Sequence, residues 1–276
     1  MQQLKKDEIS SKQLLQIQVF STSIYILSYL IVFVLSGMAF LYISADFEIP
    51  AKLVFGQANV GLSESSRLWS TDSIISIYTA IPTTCFIIGV VSLFFFHFNP
   101  KPSFTFLVGT TWTFINAFNL SLGAVVIDLI FSTDFHFAAK AMGIETIMTV
   151  LIIGVCIFFL FKLGIFAARI FHDRIFRGFT ADIATKNSLY LRFFGFPWLI
   201  GNAILLILSI PSNDYKSYLL PVGSLILILP TYFYEPKVKG NKKFKLNNKY
   251  LIITAITSLL ALSISYLIFR NGFSPE

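Results

Sequence analysis

The feature that most constrains this chain is a series of apolar stretches, each long enough to cross a hydrocarbon layer without interruption. One helical crossing needs about 17–25 such residues, and stretches of that kind fall at 20–43, 73–97, 104–131, 144–168, 190–210, 217–234 and 250–269. They are continuous rather than alternating, which predicts helices and excludes a barrel, whose strands alternate over about 10 residues. The shortest, 217–234, carries Pro221 and Pro230. Of the 276 residues 55% are hydrophobic and 13% charged, against roughly 25% charged in a soluble domain. The expected fold is an all-α polytopic transmembrane helix bundle of seven spans, one integral membrane domain over 1–276 without a separate soluble unit.

Charge predicts orientation. The chain holds 21 Lys+Arg and 14 Asp+Glu. With the N-terminus in the cytoplasm, sixteen basic and five acidic residues lie inside, so the faces carry +11 and −4, as the positive-inside rule expects. Dropping 217–234 would throw the lysines of 237–249 to the outside, so the charge count favours seven spans over six. A bacterial inner (cytoplasmic) membrane is the expected location. The first stretch follows Lys5, Lys6 and Lys12 like a leader, but it is too long for a signal-peptide apolar region and reads as a retained helix.

Three connections are long. Segment 169–182 places Phe171, Ile175 and Phe179 on one stripe and Arg169, Asp173 and Arg177 on another, the pattern of an interfacial amphipathic helix or of a docking surface for a protein partner. Lys237, Lys239, Lys242, Lys243, Lys245 and Lys249 form a basic run suited to anionic lipid headgroups. It lacks the stacking aromatics of a nucleic-acid surface, so no nucleic-acid partner is expected. The outer loop 44–72, with Gly56 and Gly61, is either a lid or a plain surface loop.

Several chemistries are absent. The topology separates His97 and His172 from His136. There is no His-Glu-x-x-His, no Walker-type loop and no Gly-x-Ser-x-Gly elbow. Residues 250–269 contain no lysine for a retinal Schiff base. No cofactor is implied. Cys85 and Cys156 lie inside apolar runs and read as packed thiols. A parallel duplication of three-helix halves is not supported, since the third stretch has no counterpart in the seventh.

No ionisable residue sits at the middle of any span, where it would mark a proton relay or voltage sensor. Neutral polar groups occur there instead: Thr83 and Thr84 beside Pro82, Asn116 and Asn119, and Asn202 beside Gly201. Gly109, Trp112, Asn116, Asn119 and Gly123 recur at spacings of three and four, a stripe on one helix face. Such a stripe either glues helices together or lines a polar cavity. Helix glue is the commoner role of such a stripe; the sharper reading, a cavity wall, is supported by the breaks expected at Pro82 and at Phe196-Pro197, because broken helices commonly line transporter sites.

At the outer end of the same span, Asp128, Asp134, His136 and Glu145 fall within eighteen positions, with Lys140 among them. They form either a solvated turn or an acidic mouth able to hold a cation or move a proton. Three functional classes follow. The leading one is a transporter- or channel-like protein that admits a small polar or cationic solute past this mouth toward Asn116, Asn119 and Asn202. The second is a non-catalytic membrane subunit or scaffold. The third is an intramembrane enzyme with its site at the outer face.

Overall fold

The computed structural model describes residues 11–62, 66–99, 103–175, 188–210, 215–233 and 248–274. Apart from turns, the described residues are helical except for one hairpin and a single bridge from Leu53 to Phe273. The helices are α1 (Ser11–Asp46), α2 (Thr71–Phe98), α3 (Phe104–Phe131), α4 (Asp134–Ala141), α5 (Thr146–Ile175), α6 (Ser188–Ser209), α7 (Tyr215–Phe233) and α8 (Asn248–Phe269), with strands β1 (Ala51–Val54) and β2 (Gln57–Val60) between α1 and α2. Six of them, α1, α2, α3, α5, α6 and α8, are long and apolar enough to cross a membrane. The predicted span at 217–234 appears as the 19-residue α7, about 28 Å long at 1.5 Å per residue.

Local sequence explains where helices begin. Ser70 caps α2 in a capping box with Ser73, and the Ser103 hydroxyl accepts from the Phe106 amide at the start of α3. Each satisfies a backbone donor that the first helical turn leaves open. The break expected at Phe196-Pro197 takes the form of a π turn over Leu191–Gly195 within α6. Pro197 has no N–H to give the Phe193 carbonyl one turn earlier. Ser21 of α1 donates to that carbonyl instead, at 2.7 Å, so the proline is accommodated by a neighbouring helix rather than by a bend into lipid.

α1 is the hub and touches α2, α3, α6 and α8, while α5 pairs with α7. α3 is the central span: 83% of its apolar window is buried, against 6% for α8. Close approach between helices depends on glycines at defined points. A methyl at Gly164 of α5 would lie 2.5 Å from the Leu227 carbonyl of α7, and one at Gly89 would lie 2.6 Å from the Phe118 ring.

α8 runs parallel to α1. At one end Gln16 donates to Asn248 at 2.7 Å, and at the other Phe33 meets Phe269 edge-on at 5.5 Å. Beyond α8 the chain pairs with β1 through reciprocal Leu53 and Phe273 backbone bonds of 2.8 and 2.7 Å. Loop 44–72 is therefore no detached strap. Gly56 takes the positive φ of its tight turn, Leu53 and Phe55 are buried, and Leu53 occupies the space a Gly37 side chain would fill.

Segment 169–175 continues α5 beyond its apolar stretch. Phe171, however, is buried against Phe193 and Phe194 of α6. The face read as interfacial turns into the bundle here, because the aromatic surface of the α6 π turn lies beside it. Residues 176–187 and the lysines at 237–245 lie outside the described residues; Lys249 begins α8 beside Asn248.

Candidate functional site

Two cavities lie end to end between α1, α3 and the hairpin. The first, near the hairpin, has a volume of about 60 Å³, and its lining includes Tyr29, Ser36, Gln57, Tyr78, Asp128 and Asp134. The second, deeper, measures about 30 Å³, and Tyr25, Tyr29, Asn116, Asn119, Asn202 and Ser209 contribute to it. Tyr29, Gly56 and Leu220 line both. At about 10–15 Å³ for one water, the outer chamber has room for roughly four waters and the inner for about two.

The three asparagines thus share one cavity, but they are not equivalent. Asn116 donates to Ser28 Oγ at 2.9 Å and to the Tyr25 carbonyl at 3.3 Å, tying α3 to α1. Asn202 accepts from the Tyr25 hydroxyl at 2.9 Å and donates to the Trp198 carbonyl at 2.8 Å. Gly201 provides the seat for Tyr25, since a methyl there would lie 2.1 Å from the ring. These two are helix glue and cavity wall at once.

Asn119 differs. It opens a π turn, Asn119–Gly123, in the middle of α3, and it is only 7% exposed. Its Oδ1 has no hydrogen-bond partner. That atom lies between Gly123 of α3 and Gly223 of α7, where methyl groups would come within 2.6 and 2.4 Å of it. An unsatisfied buried amide oxygen costs about 1–3 kcal/mol, and π turns recur at functional sites because they re-aim side chains and free backbone carbonyls.

The acidic mouth divides. Asp128 is buried at 1% exposure. It accepts from the Thr133 hydroxyl at 2.7 Å and from the Phe135 amide at 3.3 Å, so it staples the turn between α3 and α4. Ser132, in left-handed conformation, makes that turn. Asp128 and Asp134 both line the outer chamber; His136 and Glu145 do not. His136 Nδ1 is buried without a partner, and Glu145 is exposed. Among the described residues no three His, Cys, Asp or Glu side chains converge as metal ligands. The four-residue cation site expected from spacing does not assemble, because α4 carries His136 away from the chamber that Asp134 reaches.

The partner of the asparagine stripe, a polar face on α1, went unread in the sequence. Ser21, Tyr25, Ser28 and Ser36 recur at spacings that place them on one side of a helix, and all four are buried. Serines in an apolar span carry a weak signal, because each can bond its own helix, as Ser36 does to the Val32 carbonyl. Gly223 gave no signal before α7 was placed beside α3.

Comparison with known proteins returns no match: no family model, no curated protein and no solved structure is significantly similar to this chain.

Proposed function

We propose that this membrane protein is a transporter- or channel-like conduit for a small polar or cationic solute. The solute enters at the hairpin end past Asp128 and Asp134, crosses the Tyr29 constriction, and reaches the chamber of Asn116, Asn119 and Asn202. The observation that carries this reading is a pair of adjoining cavities that share Tyr29 beside the most buried span and carry Asp128, Asp134, Asn116, Asn119 and Asn202 in an otherwise largely apolar lining. A bundle held together only by packing has no use for such space, since each void forfeits contacts.

In this reading the chain crosses seven times, with the N-terminus cytoplasmic and the hairpin outside a bacterial inner membrane. Parity supports the count. The parallel run of α8 and α1, with the tail of α8 paired to β1, favours an odd number of crossings, with α7 as the seventh. The lysines at 237, 239, 242, 243, 245 and 249 then face anionic headgroups of the inner leaflet. The scaffold alternative loses part of its surface, since Phe171 packs inside. An enzyme at the outer cluster loses its histidine, since His136 does not line the chamber.

The test is permeability. Proteoliposomes of the full chain are compared with protein-free vesicles for water, formamide, glycerol, Na⁺ and K⁺. The expected outcome is a raised rate for at least one solute, and a further rise when Tyr29→Ala widens the constriction. Rates equal to empty vesicles across the whole panel overturn the reading.

A further inference from the structure

We infer that the outer chamber receives the methylated ammonium head of a small organic cation. The inference rests on the conduit reading above and deepens it by naming the class of solute that its mouth takes.

Four aromatic side chains, Tyr29, Phe33, Phe40 and Tyr78, line that chamber together with Asp128 and Asp134. The face of an aromatic ring is negative, so several rings around one space attract a cation whose charge is spread over methyl groups. Most of the remaining described lining is aliphatic, and methyl groups gain by leaving water for such a wall. A bare calcium or magnesium ion asks instead for about six to eight oxygen ligands, a different kind of lining from rings and aliphatic groups. Rings, aliphatic groups and carboxylates in one chamber suit a positive charge that wears an apolar shell.

The rings are held by their own packing. Tyr78 stacks on Trp69 at 5.9 Å and meets Phe137 at 5.6 Å. Tyr29 stacks on Phe33 at 6.2 Å, and Phe33 in turn meets Phe269 edge-on. A cage fixed in advance loses little freedom on binding. A methylated ammonium head has no N–H and so needs no vacant acceptor. This agrees with Asp128, whose oxygens take the Thr133 hydroxyl at 2.7 Å and the Phe135 amide at 3.3 Å. Opposite charges attract without contact, and more strongly where water is displaced, so carboxylates with bonds already made still act on a cation in the chamber. Size sets the limit. At about 60 Å³ there is room for roughly four water-sized groups, the bulk of a nitrogen with its three methyl groups.

The experiment measures binding to the purified full chain in detergent, as the rise in melting temperature over a concentration series. Choline chloride is compared with sodium chloride and with the neutral alcohol in which carbon replaces the choline nitrogen. The expected result is saturable stabilisation by choline, none by sodium, and a response to the alcohol at least several-fold weaker. Apparent affinity for choline should fall about tenfold in Asp134→Asn and in Tyr78→Leu. Should Tyr78→Leu fail to fold, Asp134→Asn at its partly exposed position decides by itself. No saturable response to choline overturns the site, and so does an equal response to sodium. An equal response to the alcohol shows an apolar cavity only and overturns it too, as does unchanged affinity in either folded variant. Uptake of radiolabelled choline and of the earlier solute panel into proteoliposomes tests the conduit separately. Choline binding without any flux leaves the site standing and removes the conduit; flux of other solutes without choline binding removes the site and leaves the conduit.

Discussion

At the end of the bundle where α1 begins, Phe20, Trp112, Phe171, Phe193 and Phe194 are each at most 2% exposed. Trp112 lies 5.5 Å from Phe194, Phe171 lies 4.4 Å from it, and Phe20 joins the group through Phe104, which meets Phe193. Polar atoms there form a closed chain, with the Trp112 indole donating to Ser21 Oγ at 2.9 Å and Ser21 donating to the Phe193 carbonyl. Toward the hairpin end the packing changes. Both cavities lie there or at mid-span, and Ser44 Oγ, Asn119 Oδ1 and His136 Nδ1 are buried without partners. One half of the molecule is a plug in which aromatic area and satisfied polar groups reinforce each other. The other tolerates voids and orphaned polar atoms. In the conduit reading the plug faces the cytoplasm.

The contrast is broken most forcefully at Trp112. Trp112→Ala is expected to cost about 3–5 kcal/mol, read as a large fall in melting temperature in detergent; a cost below about 1 kcal/mol would mean the plug is not the firm half. Next comes Gly201→Ala, where a methyl 2.1 Å from the Tyr25 ring should cost about 1–3 kcal/mol by overpacking. Gly109→Ala, whose nearest neighbour is 4.0 Å away, is its control and should be neutral or slightly stabilising through helix propensity. Asn116→Ala removes two hydrogen bonds between helices and should lower stability by about 1–3 kcal/mol. Ending the chain at Asn271 deletes the Phe273 pairing with Leu53. A loss of about 1–2 kcal/mol is expected, with faster hydrogen exchange at the Leu53 amide; unchanged exchange would show that the hairpin needs no help from the tail. The smallest effect belongs to Asn119→Ala. Since no described protein group answers its Oδ1, stability should move by less than about 1 kcal/mol, read as a small shift in melting temperature in detergent. Equal destabilisation by Asn119→Ala and Asn116→Ala would erase the distinction between an unsatisfied amide and a satisfied one.

The stripe on α3 was legible as a stripe, since Asn116, Asn119 and Gly123 share a face by spacing alone. Its division of labour was not. Asn116 is consumed by α1 and Asn119 is left over, which depends on Ser28 lying opposite one and Gly223 opposite the other. The acidic mouth was legible in part. Asp128 and Asp134 reach one chamber, but a left-handed residue at Ser132 and the start of α4 set His136 aside, and side-chain spacing contains no record of that turn. Segment 169–175 was misread at Phe171 because an amphipathic pattern identifies an apolar face without saying whether lipid or a neighbouring helix covers it.

The sequence by itself determined that this chain is a helix bundle with apolar helices long enough to cross a membrane, and roughly where those helices run. A hydrocarbon layer admits backbone only when every amide is bonded within the segment, so long uninterrupted apolar runs have no other solution. Only the tertiary structure decided which polar side chains face one another, that α8 lies parallel to α1, and that loop 44–72 is a hairpin fixed to the chain's last described residues. Those features depend on the rotation of each helix about its axis and on contacts such as Leu53 with Phe273. An almost uniformly apolar surface leaves such rotations and pairings to packing, and packing is a property of the assembled bundle.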